Sequence, residues 1–64
     1  MASSFVDLLS AMIEEAQKNI SDIRQHANQP ALTSALRHAI NDVLHAEVLR
    51  LDMLRSVAGE IGNS

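Results

Sequence analysis

The 64-residue chain has no cysteine, two glycines, one proline and a single aromatic residue, Phe5. Without cysteine, neither a disulfide nor a thiolate metal site can staple so short a chain. Without other aromatics, any core must be built from Leu, Ile, Val, Ala and Met, and no platform exists on which nucleobases could stack. Positive charge is also scarce. Five basic residues, Lys18, Arg24, Arg37, Arg50 and Arg55, face eight acidic ones, for a formal net charge of −3. They are scattered along the chain and form none of the basic runs that displace counterions from phosphates, so nucleic acid is not the expected partner. No apolar run approaches the roughly 18 residues that cross a bilayer, so no membrane span is expected. The start MASSFVDLL lacks the basic n-region of a secretory signal. These absences lead to the expectation of a cytoplasmic protein.

Apolar residues make up 47% of the sequence, too many for a disordered chain. One domain at most is expected over residues 1–64, near the lower size limit for independent folding. Ser4 and Asp7 fit an S-x-x-D cap for a first helix over about residues 4–27. From there Val6, Leu9, Ile13, Ala16, Ile20, Ile23 and Ala27 follow steps of three and four without a miss, which is a heptad-like seam. Phe5, Leu8 and Met12 add a second row over the first two turns only. Glu14, Glu15, Gln17, Lys18, Ser21, Asp22 and Gln25 fill the opposite face, with Glu14 and Lys18 at the supportive i,i+4 spacing.

HANQP, residues 26–30, breaks this pattern. Proline is excluded from a helix interior but suits a first helical turn. Asn28 or Gln29 is then the turn or cap residue, and a turn over 28–30 folds the next helix back antiparallel. A second helix is expected over about 30–58, with Gly59 and Gly62 as stops and a short tail over 59–64. It carries two apolar rows. One is Leu32, Leu36, Ala39, Val43, Ala46, Arg50, Met53 and Val57; the other is Ile40, Leu44, Glu47, Leu51, Leu54, Ala58 and Ile61. At about 100° per residue they merge into an arc around roughly half the helix, with Val48 and Leu49 at its edges or beyond.

So wide an arc exceeds what one partner helix covers, and a lone hairpin would leave an apolar patch in water. The expected fold is therefore all-α, an antiparallel helical hairpin that self-associates, first of all as a dimeric four-helix bundle. Val6, Leu9, Ile13, Ile20, Ile23, Leu36, Ile40, Val43, Leu44, Leu51 and Leu54 are the expected core and interface. Met12 and Met53, both in apolar rows, read as core filler. A homodimer or higher homo-oligomer is the first expectation for the partner, and a different protein the second.

Glu47 and Arg50 interrupt the apolar arc three residues apart, close enough to pair along one helix. Two structural readings stand. Either the pair snorkels to the rim, or it crosses a subunit interface and fixes register or orientation. A catalytic carboxylate beside an anion-clamping arginine is a third and weaker reading. His38 and His45, seven residues apart, lack the i,i+3 or i,i+4 carboxylate set that helical metal sites use. His38 with Asp42, and Asp22 with His26, are isolated pairs on polar surface. No Gly-rich phosphate loop, G-x-S-x-G motif or cysteine nucleophile is present. The chain is therefore expected not to be an enzyme, with no catalytic, cofactor-binding or metal-ligating residue and no cofactor. The reading is a non-catalytic adaptor or regulator acting through protein–protein contacts.

Two resemblances accompany this reading. The hairpin length and architecture, over nearly the whole chain, look like the Rop family of small plasmid-encoded RNA-binding bundle proteins. That likeness implies a dimer of hairpins with an RNA partner. QPALTSALRHAIN, residues 29–41, is similar to the turn and second-helix start of type III secretion needle subunits. Those are helical hairpins held by small helical chaperones before export. This second likeness implies a chaperone or structural subunit of a hetero-complex.

Overall fold

The computed structural model describes residues 4–63, which form two helices, α1 (Ser4–Ala27) and α2 (Ser34–Asn63). Asp7 lies in the first turn of α1, and Arg24 and His26 in its last turn. Both ends therefore carry charge that complements the helix macrodipole. The helix closes with two tight backbone bonds, from Asn28 N–H to the Gln25 carbonyl and from Gln29 N–H to the His26 carbonyl, each 3.3 Å. Such i→i+3 bonds satisfy carbonyls that no further helical turn can serve.

The second helix starts later than the proline suggests. Its cap is Thr33, whose Oγ1 accepts the Leu36 backbone N–H at 3.2 Å while its carbonyl accepts the Arg37 N–H at 3.0 Å. A hydroxyl at this position takes one of the orphan donors of the first turn. Pro30 consequently belongs to the connection over residues 28–33, and neither Asn28 nor Gln29 caps α2. The other end is also displaced. The helix runs through Gly59 and Gly62 to Asn63, and neither glycine has the positive φ of a left-handed stop. Ala58 and Ile61 pack against the core, which gives the last turns a reason to stay helical.

The helices fold back antiparallel, with Glu15 reaching Arg50 and Asn19 reaching Glu47. Leu9, Ala16, Ile20, Leu51 and Leu54 are buried between them, and Met12, Ile13, Leu44, Ala58 and Ile61 pack around this core. The α1 seam thus faces one row of α2: Ile40, Leu44, Glu47, Leu51, Leu54, Ala58 and Ile61. The packing is best in the middle and toward the free ends. Near the connection Ile23, Ala27, Leu32 and Ile40 are only half-buried, and grooves open between the helices.

The result is a single layer. The Cα atoms span 49 × 17 × 12 Å with a radius of gyration of 15.0 Å, against about 11 Å for a compact domain of this length. Each helix has one helical neighbour and the remainder of its circumference faces water. No helix among the described residues is long and apolar enough to cross a membrane.

Candidate association surface

Two features of α2 stand out. The first is a polar cluster that bridges the hairpin. Arg50 Nη1 donates to Glu47 Oε1 at 2.9 Å and Arg50 Nη2 to Glu15 Oε1 at 3.2 Å. Asn19 Nδ2 donates to the same Glu47 oxygen at 3.4 Å. The Arg50 and Glu47 side chains keep 32% and 17% of their exposure, so the pair sits at the edge of the helix–helix contact. It joins the two helices of one chain. Glu15, placed by sequence on the polar back of α1, and Asn19, to which no role was assigned, complete the cluster. The signal for both was available in the folding-back itself, since an antiparallel pairing across the connection sets positions 15 and 19 opposite 50 and 47.

The second feature is the other row of α2. Leu36, Ala39, Val43, Ala46, Met53 and Val57 are all exposed, and the half-buried Arg50 interrupts their row. Met53 is therefore not core filler in the hairpin: it is 60% exposed, while the adjacent Leu54 is 4% exposed. Leu49 borders this row on the outside and is exposed as well. The cause is angular. With the partner row turned toward α1, the helical period carries this row roughly 80° away, beyond the reach of the single neighbour. Near the connection the row meets a mainly apolar groove lined by Ile23, Leu32, Ala39, Ile40 and Val43.

The expected core and interface residues divide accordingly. Leu9, Ile20, Leu51 and Leu54 are buried, Ile13 and Leu44 pack against them, and Ile23 and Ile40 are half-covered. Val6, Leu36 and Val43 are exposed in the hairpin and contribute little to its core.

The total accessible surface is 4941 Å². Mass scaling gives about 4,000 Å² for a compact protein of 7.0 kDa. The excess, about 900 Å², matches the roughly 800 Å² that one partner contributes to a standard interface.

His26, His38 and His45 are exposed, and among the described residues no group of three or more His, Asp or Glu side chains could hold a metal ion. No buried polar or charged residue occurs among them either. The class the fold defines is an all-α antiparallel helical hairpin. Comparison of the chain with protein-family models, with curated proteins and with solved structures finds no match, so architecture and surface chemistry carry the functional reading.

Proposed function

We propose that this chain is a non-catalytic, self-associating helical hairpin that serves as an adaptor or regulator through protein–protein contacts. The observation that supports this reading is the uncovered apolar row of α2, together with a surface larger than a chain of this mass exposes when compact. Burial of apolar area stabilises at about 25 cal/mol per Å², and the hairpin leaves that stabilisation unused on one flank. Covering the flank turns a one-layer structure into the two-layer arrangement that stable domains adopt. A pair of hairpins making a four-helix bundle is the simplest such arrangement. The polar cluster fits this role, since paired charges at the edge of helical contacts favour one alignment over others while adding little net stability.

Sedimentation equilibrium combined with far-ultraviolet circular dichroism, over a dilution series, tests the proposal. The expected result is a dimer at micromolar concentration whose helicity falls as it dissociates, because folding and assembly share the same apolar surface. A compact, fully helical, single-copy chain at high dilution overturns it. A weakly helical monomer that gains structure only with a different protein redirects the reading to a hetero-complex.

A further inference from the structure

Only α2 has an uncovered apolar row along its length. On α1 the corresponding flank is apolar at Phe5, Leu8 and Met12 and then continues as Glu15, Asn19, Asp22 and His26. The natural cover for the α2 row is therefore the same row of another molecule. We propose, resting on the self-association reading above, that α2 packs against α2 of a second copy, antiparallel, about a twofold axis at Ala46.

Size and charge both select this arrangement. Pairing about Ala46 sets Ala39 opposite the second copy's Met53, and places Leu36 within one residue of the level of its Val57 and Val43 within one residue of the level of its Arg50. Ala39 then faces the large Met53, the small-against-large alternation that well-packed helical contacts use. Ala46 meets its own equivalent, and two methyl groups allow the backbones to approach closely at the axis. A parallel pairing instead sets Ala39 against Ala39 and places the two Arg50 guanidinium groups at one level, where like charges repel. The antiparallel pairing separates the Arg50 positions by about 12 Å along the helix axis, eight residues at about 1.5 Å each. Arg50 also enters the contact already bonded to Glu47 and Glu15, so covering it leaves no unpaired charge. The inner and outer rows of α2, roughly 80° apart, suit a helix that touches two neighbours in a bundle. The surface excess of the whole chain, about 900 Å² over a compact protein of its mass, is of the size of one side of a standard dimer contact.

Because the natural chain has no cysteine, single thiols report the geometry directly. Under mild oxidation Ala46→Cys is expected to form a covalent dimer at least about tenfold faster than Val43→Cys. The 43 positions lie about 9 Å apart along the axis in this arrangement, beyond the roughly 7 Å Cα separation that a disulfide tolerates. An independent arm mixes Ala39→Cys with Met53→Cys chains, which are expected to give a covalent heterodimer in preference to either homodimer. Dichroism of each reduced variant checks that the helices persist. Sedimentation of the unaltered protein separates the two levels of the argument. A dimer in which positions 43 and 46 cross-link equally well, or in which neither 46 nor the 39–53 pair cross-links, overturns the antiparallel α2 contact and leaves self-association standing. A strictly monomeric protein overturns both.

Discussion

Helix α1 turns most of its apolar residues toward α2 and shows water a largely polar back, whereas α2 spends one apolar row on α1 and leaves another uncovered. The contrast is sharpest at two neighbours in the chain. Leu54 is inside the hairpin and Met53 is outside it, although both belong to rows with the same three-and-four spacing. The difference teaches that an amphipathic pattern measures how much apolar surface a helix has, and that the number of available neighbours decides how much of it is buried. A two-helix chain supplies one neighbour per helix. The second row of α2 is the surplus.

The largest effect is expected from breaking the inner side of this comparison. Leu54→Asp puts a charge where the hairpin is tightest, so helicity and assembly should vanish together in dichroism and sedimentation. A buried leucine truncated to alanine alone costs about 2–5 kcal/mol, and an unpaired buried carboxylate costs more. Met53→Lys is the matched outer change. It removes nothing from the contact between α1 and α2, and the expected result is weaker dimerisation by at least about tenfold, equivalent to about 1.4 kcal/mol. Helicity should recover when the variant is concentrated. If Met53→Lys associates as tightly as the unaltered chain, the outer row is not the interface.

Smaller effects sharpen the contrast between the helix ends and the edge cluster. Gly59→Ala should raise the melting temperature, by up to about 1 kcal/mol of stability. An added Cβ meets nothing within 4 Å, and the residue is helical without positive φ. A loss of stability there would show that α2 is not helical through its last turns. The smallest effect belongs to the bridge between α1 and α2. A double-mutant cycle of Glu15→Gln and Arg50→Met should give a coupling of about 0.2–1 kcal/mol, because the Glu15 side chain is mostly in water. The coupling should shrink in high salt, as exposed pairs are screened.

Much of the fold was legible in the sequence. The bounds of α1 agree with the seam that begins at Val6 and ends at Ala27, since i,i+3 and i,i+4 neighbours are set by local helical geometry. The start of α2 was less legible. A proline is equally at home in a turn and in a first helical turn, and only the bond from Leu36 N–H to the Thr33 hydroxyl distinguishes the two here. The end of α2 was misread for a related reason. Glycine permits a left-handed stop without requiring one, and the packing of Ile61 against the core favours continuing the helix. The uncovered row was visible as an arc too wide for one neighbour, and the pairing of Glu47 with Arg50 as an i,i+3 spacing; the addition of Glu15 and Asn19 follows only once the helices fold back.

What the sequence determined by itself was the pair of amphipathic helices and the apolar surplus on the second, because side-chain periodicity follows from the backbone repeat alone. Tertiary structure decided which row of α2 met α1, and so which residues were left to water. It also brought Glu15 and Asn19 to Arg50 and Glu47. Both outcomes depend on the path of the connection over residues 28–33, which sets rotation and register between the helices, and no local repeat encodes either quantity.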